Sequence, residues 1–351
     1  MSYIKKPKIL RSNAKRNDIG MTFSDYEGAM STLCAGCGHD SITGAIIEMV
    51  FDLSIQPHRM VKLSGIGCSS KTPAYFAKQS HGFNSVHGRM PSVATGAQSA
   101  NSELHYIGVS GDGDTLSIGI GQFSHAIRRN LNMLYILENN GVYGLTKGQF
   151  SASADIGSTA KKGTPNLQMP IDPCRVAISM GASLVARSFS GDKEQLVPIL
   201  KAGLMHRGFA LIDVISPCVT YNDHVGSTKS YLHTREHKQE AVYADYIHPL
   251  NEVKVNYSAG SSIEVDLHEG GKVILTKVAR NYSPIDRNAV LRGIRESTEK
   301  GEILTGLLYI DESQADFIEN ENTIETPINQ LAFEDLCPGS KELSELQKNY
   351  K

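Results

Sequence analysis

Short apolar runs alternate with helix-spaced apolar positions along the first 225 residues. Val61–Gly65, Tyr106–Ser110, Met133–Leu137, Ala182–Phe189 and Ala210–Ile215 are runs of the length and composition that buried strands use. Between them, residues 41–53, 92–103, 117–130, 173–181 and 192–206 place apolar side chains three and four positions apart, as helices do. Strands that alternate with helices predict a parallel sheet covered on both faces. The fold class expected is therefore α/β, a doubly wound domain over residues 21–225.

The pattern then changes. Ile263–Leu267 and Lys272–Val278 flank Gly270–Gly271, a hairpin signal. Residues 286–300 make an amphipathic helix ending at Gly301, and Ile303–Asp311 is one more strand. These form an expected C-terminal extension, 226–311, followed by an acidic tail, 312–351. At the other end, Lys5, Lys6, Lys8, Arg11, Lys15 and Arg16 precede the first acid, Asp18, and make residues 1–20 a basic arm suited to solvent or a partner.

Charge and composition narrow the chemistry. The formal net charge is −2, so no basic excess points to nucleic acid. No apolar run approaches the ~18–20 residues that span a bilayer. No signal-peptide apolar segment is visible either, and a cytoplasmic protein is expected. Six cysteines in such a chain suggest metal or cluster ligation rather than disulfides.

Two turns carry the clearest chemistry. Gly111-Asp112-Gly113-Asp114 follows the run ending at Ser110, and Asn139-Asn140 follows the run ending at Leu137. Parallel strands deliver both turns to the carboxyl edge of the sheet, where open α/β sheets bind ligands. The glycines let backbone N–H groups approach a diphosphate. Asp112, Asn140 and a nearby carbonyl are hard oxygen ligands of the kind Mg²⁺ takes while sharing its shell with phosphates. The pair of turns resembles the thiamine diphosphate (ThDP) fingerprint.

Cys34 and Cys37 stand in one Gly-rich loop, and Cys68 and Cys218 each follow a predicted strand, so four thiols can gather on the same edge. A structural Cys₄ zinc site, a redox dithiol and an iron–sulfur cluster are all open to such a set. Cys174 and Cys337 are read as ordinary core or surface residues.

The ordered set Cys34-Ala35-Gly36-Cys37-Gly38-His39, Gly65–Ser69, the two turns, His87-Gly88-Arg89 and Ser216–Val219 resembles the β subunits of the 2-oxoacid:ferredoxin oxidoreductases, most of all those acting on 2-oxoglutarate. The resemblance spans roughly residues 20–310. It implies CoA-dependent oxidative decarboxylation of 2-oxoglutarate to succinyl-CoA and CO₂, potentially reversible, with electrons passing through one [4Fe–4S] cluster to ferredoxin. It implies Cys34, Cys37, Cys68 and Cys218 as cluster ligands, and Asp112, Asn140 and the Val142 carbonyl as Mg²⁺ ligands. Ile66, Gly67, Cys68 and Ser69 would hold the thiazolium end, and Gly113, Asp114, Asn139, Gly144, Leu145 and Thr146 the rest of the cofactor. His87 and Arg89 are expected near the reacting carbon, and Lys147 or Lys71 against the distal carboxylate of the substrate.

Only one such ThDP half is encoded, so the pyrimidine-binding half is expected on an α subunit, in an α₂β₂ assembly. Three other readings stand beside this one. One is the same chemistry on pyruvate or a branched 2-oxoacid; another is a ThDP decarboxylase or synthase without redox, in which the cysteines hold zinc; the third is a non-catalytic iron–sulfur electron-transfer protein.

Overall fold

The structure, a computed structural model, describes residues 14–159, 163–224, 227–242, 262–266, 272–276, 282–324, 326–337 and 339–350. Most of the basic arm and the Gly270–Gly271 turn therefore lie outside the described residues. The strands are β1 (Met60–Ser64), β2 (His81–Asn84), β3 (His105–Gly111), β4 (Met133–Asn139), the short β5 (Val142–Tyr143) and β6 (Gln149–Phe150), β7 (Leu184–Phe189), β8 (Phe209–Ile215), β9 (Lys238–Val242), β10 (Ser262–Asp266), β11 (Lys272–Thr276) and β12 (Ile303–Ile310). The principal helices are α1 (Gly38–Asp52), α2 (Thr72–Tyr75), α3 (Met90–Ala100), α4 (Ile120–Arg128), α5 (Pro173–Met180), α6 (Lys193–Met205), α7 (Tyr231–His237) and α8 (Arg287–Glu299).

Eight strands form one sheet in the order β2-β1-β3-β4-β8-β7-β12-β9. All neighbouring pairs are parallel except β12 with β7. The expected doubly wound sheet is present. β9 and β12, which lie in the stretch read as an extension, complete that same sheet. β10 and β11 make the separate antiparallel hairpin that the alternation of residues 263–267 suggested.

Both faces of the sheet are covered because its central strands are apolar on both sides. Along β4, Leu134 and Ile136 point to one face with Ile42, Ile46, Val50, Leu196 and Leu200 of α1 and α6. Tyr135 and Leu137 point to the other, with Met90, Phe123, Ile127 and Ile178 of α3, α4 and α5, and with Val290 and Ile294 of α8. Aspartates start three of these helices: Asp172, Asp192 and Asp286 each accept backbone N–H bonds from the first turn. One buried cation interrupts the pattern. Lys62 on β1 donates to the carbonyls of Phe76 (2.7 Å) and Ala77 (3.1 Å), and burial pushes its pKa down to about 8.

The topology has one consequence for chemistry. β1, β3, β4 and β8 are consecutive and parallel, so the loops after Ser64, Gly111, Asn139 and Ile215 emerge side by side.

Candidate functional site

One cleft of about 580 Å³ opens among those loops. Ile66, Gly67, Cys68 and Ser69 come from the loop after β1, and His87 from the loop after β2. Gly111 to Asp114 come from the end of β3, and Asn140, Val142, Gly144, Leu145 and Thr146 from the chain after β4.

The Gly-Asp-Gly-Asp turn leads straight into a π-helical turn, Gly113–Ile118, before α4 begins. Such turns recur at functional sites, and their first N–H groups lack partners within the turn. Gly113 has to be glycine: a Cβ there would stand 2.4 Å from the ring of Tyr143, whose hydroxyl donates to the Gly113 carbonyl (3.0 Å). Asp114 is a buried clamp. Its Oδ1 accepts the Gly88 N–H (2.8 Å) and its Oδ2 the Ser110 hydroxyl (3.0 Å), tying the His87–Arg89 loop to β3.

Asp112 is buried, and one of its oxygens, Oδ2, accepts from Gly141 N–H (2.8 Å), Ser151 Oγ and Ser153 Oγ (2.6 Å). Burial raises its pKa, and the two serine hydroxyls pull it back down. Asn140 Oδ1 accepts the Val142 N–H at 3.0 Å. The neighbouring Asn139 turns the other way, as adjacent strand residues do. Its amide bonds Asp213 Oδ1 (3.0 Å), and its carbonyl oxygen meets Ser153 Oγ (2.8 Å). Only Asn140 of the pair borders the cleft.

The oxygen donors fit a hard cation. Asp112 and Asn140 carry two of them into one wall, next to the turn whose N–H groups suit a diphosphate.

The four cysteines meet beside this wall. Cys37 is the N-cap of α1, and its neighbour Gly38 donates to the Pro217 carbonyl at 3.3 Å, joining the first cysteine loop to the loop of Cys218. A Cβ on Gly144 would stand 3.4 Å from Cys68 Sγ and 3.8 Å from Cys218 Sγ, so both sulfurs lie within van der Waals reach of this residue. Cys34 is exposed and accepts from Thr220 Oγ1 at 3.6 Å. Burial pushes the Cys37 thiol up to about 12 and raises those of Cys68 and Cys218. Each feels another cysteine of the set as a like charge, Cys37 and Cys68 through Cys218, Cys218 through Cys34. Among the described residues, no three His, Cys, Asp or Glu side chains close in tightly enough to hold a single metal ion.

Two residues at the cleft were not singled out from sequence. Glu138, the last residue before the Asn pair, is fully buried, accepts from Thr72 Oγ1 (2.9 Å), and has its pKa raised well above the usual carboxylate range by burial. His39 lies 3.4 Å from Glu138 Oε2, with Nδ1 2.6 Å from Ser216 Oγ and Nε2 3.4 Å from Asn140 Nδ2. Burial lowers its pKa to about 4, so near neutral pH it meets Glu138 as a neutral ring and not as an ion-pair partner. His39 was visible as the end of the first cysteine motif. Glu138 left no signal, since an acid inside an apolar run reads as a strand end.

The remaining candidates stand off the cleft wall. Lys71 ends a short 3₁₀ turn, Ser69–Lys71, and its charge lowers the Cys68 thiol against the rise that burial imposes. Arg89 caps α3. Lys147 is exposed in a turn after Thr146 with φ of +81°, a left-handed conformation in which a lysine is strained.

Comparisons with known proteins agree with this geometry. Residues 65–214 match the family model "Thiamine pyrophosphate enzyme, C-terminal TPP binding domain". The 2-oxoacid:ferredoxin oxidoreductase subunit beta of Saccharolobus solfataricus is 41% identical over 211 residues, 60% of this chain and 67% of that one. The 2-oxoglutarate synthase subunit KorB of Methanocaldococcus jannaschii is 38% identical over 191 residues, 54% of this chain and 69% of its own. The 2-oxoglutarate:ferredoxin oxidoreductase of Magnetococcus marinus, solved with 2-oxoglutarate, coenzyme A and succinyl-CoA bound, superposes with a TM-score of 0.70 at 29% identity, covering 88% of this chain and 90% of that one.

Proposed function

This chain belongs to the β subunits of the 2-oxoacid:ferredoxin oxidoreductases, and from that premise we propose that it is the ThDP- and cluster-binding half of an enzyme that oxidatively decarboxylates 2-oxoglutarate to succinyl-CoA and CO₂. The observation that carries this reading is the meeting of four parallel strand ends. They bring Asp112, Asn140, Gly144 and Cys68 to the lining of one cleft, with the sulfurs of Cys68 and Cys218 close to Gly144.

Bound ThDP would supply the carbanion chemistry that decarboxylation of a 2-oxoacid requires. The chain's own part is to bind and orient. Asp112, Asn140 and the Val142 carbonyl would hold Mg²⁺ against the diphosphate. Gly113 and the π-helical turn would offer N–H groups to its oxygens. Ile66 to Ser69 and Gly144 would keep the thiazolium end beside the cysteines. Cys34, Cys37, Cys68 and Cys218 would hold the [4Fe–4S] cluster, which accepts single electrons as zinc does not.

His87, exposed on the lining of the cleft, would meet the substrate. Lys147, with Lys71 as its alternative, would meet the distal carboxylate. An α subunit would supply the pyrimidine-binding half in an α₂β₂ assembly, and ferredoxin would take the electrons. Arg89, off the wall in this chain, would reach the site only once the cleft is closed by α.

The test is to co-purify the chain with its α partner and compare 2-oxoacids for CoA-dependent viologen reduction. 2-Oxoglutarate should give the highest kcat/KM. A preference for pyruvate or a branched acid would move the chain to another substrate class, and CoA-independent turnover would contradict the reaction.

A further inference from the structure

The hairpin of β5 and β6 has a role beyond presenting Thr146 and Lys147. Val142 pairs with Phe150 and Tyr143 with Gln149, so the chain folds back on itself just past the Asn pair. Ser151 N–H then donates to the Gly141 carbonyl at 3.1 Å, which sets the next residues over Asp112. Ser151 and Ser153 are buried, and both hydroxyls reach the same carboxylate oxygen, Oδ2, that also accepts Gly141 N–H. None of the three donates to Oδ1.

We propose that Ser151 and Ser153 are positioning residues for the metal: they hold Asp112 by Oδ2 so that Oδ1 is presented to the cation. The proposal rests on the reading of Asp112 as a Mg²⁺ ligand. A carboxylate on a short side chain can rotate about its last bond and offer either oxygen or both. Mg²⁺ demands near-octahedral geometry and tolerates little of this freedom. Three donors on one oxygen remove that freedom before the ion arrives.

Ser153 Oγ has three acceptors within reach, Asp112 Oδ2 at 2.6 Å, Asn139 Oδ1 at 2.8 Å and Ser151 Oγ at 3.2 Å, and its single proton goes to the nearest and charged one, Asp112 Oδ2. Its neighbour Asn139 is held by Asp213 Oδ1 (3.0 Å), and Arg187 Nε donates to Asp213 Oδ2 (2.7 Å). Asn139, the first asparagine of the pair, thus stands between Ser153 Oγ (2.8 Å) and Asp213, which is salt-bridged to Arg187.

Partners that orient a ligating carboxylate typically contribute about 10–100-fold in metal affinity. The experiment uses the purified α/β complex with ThDP and Mn²⁺ as the probe, and counts free Mn²⁺ by its EPR signal. Ser151→Ala with Ser153→Ala should weaken Mn²⁺ by about that factor, each single change by less, and Ser153→Thr should bind nearly as the wild type does. The Mg²⁺ concentration for half-activation should rise while kcat at saturating Mg²⁺ stays close to normal. The visible absorption of the cluster should not change.

Unaltered Mn²⁺ binding in the double variant, with Asp112→Ala losing the ion, overturns the positioning role and leaves the metal reading intact. Retention of Mn²⁺ by Asp112→Ala overturns the metal reading itself and the proposal with it. Should the double variant not assemble with α, the single variants decide: two unaltered affinities refute the proposal.

Discussion

Asp112 is the residue on which the proposed cofactor site turns. Asp112→Ala should abolish Mg²⁺-dependent ThDP binding, measured by calorimetry on the α/β complex, and leave the cluster absorption in place. Normal ThDP affinity would show that the Gly-Asp-Gly-Asp turn serves another purpose. Lys147 makes a second test at this scale. It sits at a positive φ, where glycine is at ease and lysine is not. Lys147→Ala and Lys147→Gly should both lower kcat/KM for 2-oxoglutarate by roughly 10- to 150-fold, the loss of one charge-assisted contact of about 1.5–3 kcal/mol. Pyruvate, without a distal carboxylate, should lose much less. Equal losses for both acids, in these variants and in Lys71→Ala, would remove the lysines from substrate selection.

At the scale of elements, the sequence was legible where apolar periodicity was strong. The runs that begin at Val61, Tyr106, Met133 and Ala210 became β1, β3, β4 and β8, because these central strands are buried on both faces. β2 (His81–Asn84) was missed because it is an exposed edge strand of polar and mixed residues. β9 (Lys238–Val242) was missed for a similar reason: Lys-Gln-Glu-Ala-Val carries no apolar run. The cysteine motifs and both turns were legible as residue strings. The serine clamp on Asp112 was not, since it depends on the β5–β6 hairpin bringing Ser151 and Ser153 back over Gly141.

One junction of elements makes a pH prediction. His206 follows α6 and its Nε2 lies 2.8 Å from Ser183 Oγ, just before β7. Burial lowers its pKa to about 4. A histidine kept neutral in the fold but free to protonate when unfolded supports the fold fully above its ordinary pKa of about 6.5, and that support is lost as pH falls from there toward 4. His206→Gln should flatten the stability profile between those pH values in denaturant unfolding. An unchanged slope would place the acid sensitivity elsewhere.

At the scale of the whole molecule, the proposed function gives the chain half of an active site. Leu145 on the cleft lining and Val86, next to His87, are exposed apolar side chains. Rigorously pure β chain should not turn over 2-oxoacids, and adding the α chain should restore activity. Turnover by β alone would contradict the division of the cofactor site between two chains. Among the described residues no helix is long and apolar enough to cross a membrane.

The central claim is that the cofactor wall and the four sulfurs act as one centre. It is tested most directly by adding 2-oxoglutarate, without air, to the ThDP-loaded α/β complex and recording the visible spectrum. The complex should be brown, with iron and sulfide for one [4Fe–4S] cluster per β chain, and its absorption in the blue should bleach as the substrate is decarboxylated. A colourless protein holding stoichiometric zinc, or a brown one whose absorption the substrate leaves untouched, would contradict it.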